Sequence, residues 1–107
     1  MSAKYWQRGE TIDYTATEAV SNGDVVDLAT RIGVAGNDIA ANETGAVHVV
    51  GVFEIPKATG EITLGATVYW DKAAKNITTT SESNTPAGWA VAAAKSGDAT
   101  VLVKLLG

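Results

Sequence analysis

Residues 46–55, Ala-Val-His-Val-Val-Gly-Val-Phe-Glu-Ile, are the stretch of this 107-residue sequence that most directly predicts the fold. Apolar side chains recur there at every second position, which is the period of a β-strand. We therefore predict one strand, whose buried face consists of Val47, Val49, Phe53 and Ile55. Gly51 interrupts this face and indicates a bulge or the close approach of another chain. Pro56 ends the strand because it has no backbone N–H to donate.

Short β-prone runs divided by turn residues continue on both sides of this strand. Asn22-Gly23 is a tight-turn signal, because asparagine and glycine tolerate positive φ. Residues 29–45 are expected to form short strands and loops, with Ile32 and Val34 pointing inward. Two hairpins are predicted downstream, Thr67–Trp70 with Ile77–Thr80 and residues 87–93 with 99–106. Such a series of short strands is typical of a small β-sandwich or barrel, so we predict an all-β fold in a single domain.

A turn glycine that leads into a strand recurs along the chain. It occurs in Gly23-Asp24-Val25-Val26, in Gly65-Ala66-Thr67-Val68 and in Gly97-Asp98 before Thr100-Val101. The spacings are unequal, so we interpret the pattern as repeated turn chemistry and not as a solenoid repeat. The predicted core of the domain consists of Val47, Val49, Phe53, Val68, Trp89, Val101 and Val103.

The composition is that of an ordinary globular protein, with 46% apolar and 19% charged residues. The net charge is −4 and the eight Lys and Arg residues are dispersed, whereas a nucleic-acid surface requires a clustered basic patch. The absence of cysteine excludes disulfides and thiolate sites and suits a reducing cytoplasm. The N-terminus lacks the apolar segment of a signal peptide, and the apolar runs are shorter than the roughly 20 residues that span a bilayer. We expect a soluble protein that is not exported and that binds neither nucleic acid nor membrane.

The segment Gly60–Thr67, Gly-Glu-Ile-Thr-Leu-Gly-Ala-Thr, has the glycine spacing of a phosphate-binding loop. Ala66 stands where that loop needs the lysine that contacts the β- and γ-phosphates. The residues that follow predict a strand, whereas a phosphate-binding loop opens a helix. We interpret the segment as a turn between strands.

The remaining polar residues form no catalytic or metal-binding pattern. His48 is the only histidine, and alternation places it on the face opposite the predicted core, as a surface or interface side chain. The twelve carboxylates are scattered, and none falls in a dense calcium-binding loop. We therefore predict no enzymatic activity, no catalytic residue, no cofactor, no metal and no small-molecule substrate.

Aromatic residues give the one positive signal for binding. Residues 1–16 lack sustained apolar alternation, so we expect an extended N-terminal arm, followed by a β-rich domain over residues 17–107. Tyr69 and Trp70 are neighbours in a predicted strand, so one points outward if the other lies in the core. Exposed Tyr, Trp and Arg side chains are the ones that most often anchor protein interfaces. The candidate contact residues are Tyr5, Trp6, Arg8, Tyr14, Tyr69 and Trp70.

Several blocks spread over nearly the whole chain form a pattern, in which Gly-Val-Phe-Glu and Val-Tyr-Trp-Asp are the most specific parts. The blocks are Tyr5–Thr15, Gly33–Ala35, Asp38–Ala40, Gly45–Val47, Gly51–Lys57, Gly65–Asp71, Gly88–Ala90 and Val101–Leu105. They resemble a family of small capsid decoration, or cement, proteins of tailed bacteriophages, which are often labelled RecA/RadA-like recombinases. Ala66 and the short chain argue against the recombinase label.

The resemblance implies a β-rich, non-enzymatic protein with no catalytic residues to carry over. Its partner would be the major capsid protein of a tailed phage, bound on the outer capsid surface by a homotrimer, or alternatively a homodimer, that bridges shell subunits. Such a protein would be synthesised in the cytoplasm of a bacterial host and end on the capsid surface of the virion. Two other functions stay open: a recombination accessory that binds DNA, which would need a basic face, and a β-rich tail protein.

Because Ala66 replaces the required lysine, we expect that the purified protein neither binds nor hydrolyses ATP. Isothermal titration calorimetry with ATP and Mg²⁺ measures this directly. Binding that disappears when Gly65 or Thr67 is changed would contradict the interpretation of this segment as a turn.

Overall fold

A computed structural model describes residues 2–106; Met1 of the predicted arm and Gly107 of the predicted domain lie outside the described residues. Within residues 2–106 the chain forms nine β-strands. They are β1 (Thr11–Thr15), β2 (Val25–Asp27), β3 (Ile32–Ala35), β4 (Thr44–His48), β5 (Val52–Pro56), β6 (Thr67–Asp71), β7 (Asn76–Thr78), β8 (Thr85–Ala90) and β9 (Thr100–Leu105). No helix in this range is long and apolar enough to cross a membrane. The prediction of an all-β fold is confirmed.

The strands form two antiparallel sheets that make up a small β-sandwich. The first sheet has the strand order β1-β4-β3-β2, and the second has the order β5-β9-β8-β6-β7. Both predicted hairpins are present, since β6 pairs with β7 and β8 pairs with β9. Asn22-Gly23 forms the predicted turn, in which the Asp24 N–H donates to the carbonyl oxygen of Ser21 at 3.0 Å.

Each sheet covers a buried cluster of apolar side chains. The N-terminal core consists of Ala16, Val26, Ala35, Ile39, Val47 and Val49. The C-terminal core consists of Ile32, Val34, Ile55, Ile62, Val68, Trp70, Ile77, Ala87, Ala90, Ala94, Val101, Val103 and Leu105. Ile32 and Val34 are inward, as predicted, yet they come from β3 of the first sheet and pack in the core of the second.

The prediction of one continuous strand over residues 46–55 is wrong. The chain leaves the first sheet at the end of β4 and enters the second sheet at β5, with Gly51 at a φ of +128° in between. Val47 and Ile55, predicted to share one face, lie in the N-terminal and the C-terminal core respectively. In both strands the odd-numbered residues are the ones that point inward, so the apolar alternation continues unchanged across Gly51. The sequence pattern therefore does not reveal the change of sheet.

Two aromatic side chains lie farther out than the sequence predicts. Trp89, predicted in the core, is 41% exposed on β8, and Phe53 is only half-buried. Trp89 was predicted in the core because its ring is large and hydrophobic. In the structure the small side chains of Ala87 and Ala90, which are fully buried, occupy the inward positions of β8 instead. The remaining predicted core residues are buried, namely Val47, Val49, Val68, Val101 and Val103.

The chain contains two copies of one four-stranded arrangement. We call residues 10–49 the N-terminal unit and residues 51–105 the C-terminal unit. Strands β1, β2, β3 and β4 of the first correspond to β5, β6, β8 and β9 of the second, because the two sheets share one strand order. The hairpin strand β7 is an addition at the edge of the second sheet.

The correspondence between the units holds in the pairing register up to the irregularity between Val68 and Tyr69, where β6 and β8 shift register and β2 and β3 do not. Matching pairs include Ile12 with Val47 and Phe53 with Val103, Val25 with Val34 and Thr67 with Trp89, and Val34 with His48 and Trp89 with Lys104. The segments before equivalent turns match too: Val20 bridges Ile39, as Ile62 bridges Ala94. The sandwich is therefore an internal repeat at the level of backbone pairing.

Six equivalent positions carry the same residue in both units. They are Gly23 and Gly65, Val26 and Val68, Gly33 and Gly88, Ala35 and Ala90, Thr44 and Thr100, and Val47 and Val103. Gly23 and Gly65 have φ values of +90° and +87°, which favour glycine. A methyl group at Gly33 would overlap a valine side chain of β4, and one at Gly88 would overlap the backbone carbonyl of Lys104. Most of the shared residues thus lie where geometry or burial leaves little choice.

The two units pack against each other through β2 and β3. Ile32 and Val34 lie in the C-terminal core, and Val25 packs on its edge. The buried hydroxyl of Thr85 donates to Oδ2 of Asp27 at 2.9 Å, which ties β8 to β2. The N-terminal unit therefore closes the core of the C-terminal unit.

We expect Gly88→Ala to lower the free energy of unfolding by about 3 kcal/mol or more, because the added methyl group meets backbone at a φ of +150°. Gly97→Ala is the matched control, since a methyl group there meets nothing within 4 Å. Urea denaturation of both variants measures the difference. Equal stability of the two would contradict the close approach of β8 to β9.

Candidate functional site

The predicted N-terminal arm covers residues 1–16, and we call its part before β1, residues 2–10, the arm. Residues 2–10 belong to no strand, whereas Thr11–Thr15 is β1 of the first sheet. The arm is joined to the domain at its end, where the Val49 N–H donates to the carbonyl oxygen of Glu10 at 2.9 Å. Gln7 Nε2 donates to the carbonyl oxygen of Thr11 at 3.2 Å and directs the last part of the arm along the strand.

The arm presents its aromatic side chains to solvent. Tyr5 is 82% exposed and Trp6 is 85% exposed, and Arg8 is exposed beside them. Large apolar rings left in water are costly, and free aromatic surface of this kind is typical of a binding segment. The structure therefore brings three of the six candidate contact residues together in the arm.

The other three candidates lie on strands of the domain. Tyr14 is in β1, half-buried against the N-terminal core. Trp70 is 7% exposed and belongs to the C-terminal core, whereas its neighbour Tyr69 is half-buried on the other side of β6. One member of the pair is thus in the core and the other is outside it. A side chain as buried as Trp70 offers no surface to a partner.

The segment with the spacing of a phosphate-binding loop is a turn between strands. The Ala66 N–H donates to the carbonyl oxygen of Thr63 at 3.1 Å, and Gly65 has a φ of +87°. Thr67 then opens β6, so no helix N-terminus points at the turn. This turn is the counterpart of the Asn22-Gly23 turn in the N-terminal unit.

Aspartates serve the turns of the fold. Five of the six accept backbone N–H groups from residues two to sixteen positions away: Asp24 from Ser21, Asp27 from Ala29, Asp38 from Asn22, Asp71 from Ala73 and Ala74, and Asp98 from Lys95. Carboxylates used in this way fix loop geometry. These five aspartates are therefore structural elements of the loops.

Lys57 is the one lysine that is buried among the described residues, at 8% exposure. Its ammonium group donates to the carbonyl oxygens of Lys95 and Ser96 at 3.0 and 3.3 Å. Those hydrogen bonds compensate the burial of the charge. Lys57 holds the turn before β9 in place and is not a free catalytic amine.

The second sheet has an exposed apolar surface that the sequence did not predict. Val52, Lys104, Trp89 and Thr67 form one row across β5, β9, β8 and β6. The exposed fractions are 52% for Val52, 41% for Trp89, 40% for Leu102 and 49% for Leu106. We call these four apolar residues the outer face. The sequence indicates this face only once it is known that the odd-numbered residues of β9 point into the core. Leu102, Lys104 and Leu106 then point outward.

A family model described as phage cement protein matches residues 6–105. The chain belongs to the phage cement protein family. The match begins in the aromatic arm and spans both units of the sandwich, so the family resemblance inferred from the sequence blocks is confirmed. No curated protein is similar to this chain, and no solved structure is similar to it.

Membership makes this cement protein a structural component of a phage capsid, which places it in the virion. A structural role agrees with the geometry described above. The exposed arm and the outer face are surfaces suited to protein contacts, and the polar residues singled out by the sequence serve the turns.

Substitution by alanine should destabilise the cement protein at one tryptophan and leave its stability nearly unchanged at another. Trp70→Ala removes a core side chain and should cost about 3–5 kcal/mol of stability. Trp6→Ala removes a side chain that is 85% exposed and should change stability by less than about 0.5 kcal/mol. Thermal and urea denaturation of both variants measures this. A destabilised Trp6→Ala variant would show that the arm packs on the domain.

Proposed function

We propose that this cement protein binds the outer surface of a tailed-phage capsid as a homo-oligomer and stabilises the shell by bridging major capsid protein subunits. A homotrimer is the expected assembly, with a homodimer as the alternative. The protein acts without catalysis, is made in the cytoplasm of the bacterial host and ends on the capsid surface. The observation that carries this proposal is the exposed aromatic arm on a domain of the cement family.

The arm suits attachment to a shell for physical reasons. Tyr5 and Trp6 expose most of their surface, and their rings lose few rotamers when a partner covers them. Arg8 adds planar donors that pair with carboxylates or carbonyls. An extended segment gives up conformational entropy on binding but covers more surface than a compact one. We therefore assign Tyr5, Trp6 and Arg8 to the contact with the shell.

The contact set outside the arm is smaller than the sequence suggested. Tyr69 and Tyr14 stay in it, for contact with the capsid or with another subunit, as half-buried side chains on β6 and β1. Trp70 leaves it, because its ring fills the C-terminal core.

Bridging converts weak contacts into a stable lattice. Each copy in an oligomer binds a different capsid subunit, so dissociation of one arm leaves the others in place and raises the local concentration of the free arm. Capsid subunits joined in this way separate only when several contacts break together. The shell thereby resists pressure and heat without any chemical step.

Deletion of residues 2–8 tests the proposal. The deletion keeps Glu10, whose carbonyl oxygen accepts the N–H of Val49, so the domain should retain its melting temperature. Binding to undecorated capsids, measured by co-sedimentation, should be lost. Alanine at Leu64, an exposed apolar residue in a turn, is the control that should bind as the wild type does.

The opposite result has a clear form. A folded deletion variant that decorates capsids with undiminished affinity would move the contact to the β-sandwich. A variant that unfolds would make the arm a structural element of the domain.

A further inference from the structure

The internal repeat allows the same surface to be compared in two settings. In the N-terminal unit, Val25 and Val34 lie on the face of β2 and β3 that the C-terminal unit covers. Val34 is only 7% exposed as a result. Thr67 and Trp89 hold the equivalent positions in the C-terminal unit, because Thr67 pairs with Trp89 as Val25 pairs with Val34.

That equivalent face is open in the single chain. Trp89 is 41% exposed where Val34 is buried, and Thr67 is exposed. The rest of the outer face, Val52, Leu102 and Leu106, extends the apolar surface along the same sheet. Lys104 lies between Val52 and Trp89 in this row, so the surface is mixed in character, and Trp89 is the side chain suited to anchor a protein contact.

The N-terminal unit carries a surface that is complementary to the outer face. Ile55 and Trp70 lie where the N-terminal unit closes the C-terminal core, and they are 2% and 7% exposed. Their equivalents in the N-terminal unit are Tyr14, because β1 pairs with β4 as β5 pairs with β9, and Leu28, by counting two residues along the chain from the equivalent Val26 and Val68. Both are only half-buried, on the open side of the N-terminal core.

We propose that the outer face of one copy packs over Tyr14 and Leu28 of the next copy and repeats between chains the contact that joins the two units within a chain. The occupant of the outer face is thus a second copy of this chain, because the chain itself carries the complementary surface. The two surfaces differ, so the contact is head-to-tail, and the homotrimer of the proposed function is the closed ring that such a contact can form. This inference names the interface of the oligomer in the proposed function and does not depend on capsid binding.

The first test is the molar mass of the purified full-length protein by light scattering. We expect a ring of copies for the wild type and the 11.0 kDa monomer for Trp89→Asp, which places a charge in the centre of the outer face. Leu64→Asp is the matched control, since Leu64 is 65% exposed in the turn before β6 and is not one of the outer-face residues, and it should keep the wild-type mass. A monomeric wild type, or a Trp89→Asp variant that keeps its mass, overturns the proposal.

Crosslinking tests the geometry without disturbing the apolar residues. Val25 of the N-terminal unit and Pro56 of the C-terminal unit line one groove between the units, and their equivalents Thr67 and Thr15 are both exposed. The chain has no cysteine, so Thr15→Cys and Thr67→Cys can be introduced alone or together. With a short bismaleimide, the double variant should give covalent oligomers up to the size of the ring.

The single variants decide between head-to-tail and symmetric contacts. Each alone should remain monomeric on a denaturing gel, and a mixture of the two should give crosslinked dimers. A dimer from Thr67→Cys alone would mean that two outer faces meet each other, which overturns the head-to-tail interface, as does a double variant that fails to crosslink.

The two proposals fail in different ways. A variant lacking residues 2–8 should stay oligomeric while it loses capsid binding. An oligomer that forms through the outer face but never binds capsids would overturn the proposed function alone.

Discussion

Strand β3 is buried on both faces, and the rest of the sandwich depends on that double contact. Ile32 and Val34 point into the C-terminal core, while Ala35 points into the N-terminal core. A strand of four residues therefore links two cores that are each too small to exclude water well by themselves. Gly33 permits this, because a side chain there would collide with β4.

Sequence patterns predicted what depends on local chemistry. The turn at Asn22-Gly23, the two hairpins and the β-rich class are written in residues close together in the chain, and all are confirmed. The change of sheet between β4 and β5 is not local, since the apolar alternation of residues 46–55 is the same in one strand or two. Trp89 shows the related limit: hydrophobicity favours the core, but which face of β8 is inside depends on strands far away in sequence. The outer face likewise could be recognised only once it was known which residues of β9 point into the core.

The internal repeat explains why one of two equivalent faces of the sandwich is open. The two units keep the same backbone pairing but share few residues, so their equivalent faces have different chemistry. The face that carries Val34 is covered by the C-terminal unit of the same chain, whereas its counterpart carries the exposed Trp89. The arm adds a second, separate surface, which precedes β1 in the chain. Attachment to a shell and association of copies can thus act through different residues, which is what a protein that bridges subunits of a lattice needs.

Cryo-electron microscopy of undecorated capsids incubated with the purified protein tests the central claim most directly. The account predicts density on the outer capsid surface in closed rings, with Tyr5 and Trp6 of each copy against the major capsid protein and Trp89 against the N-terminal unit of the adjacent copy. Rings held to the capsid by the β-sandwich, with the arms free in solvent, would contradict the role of the arm. Density inside the shell or on the tail alone would contradict the account as a whole.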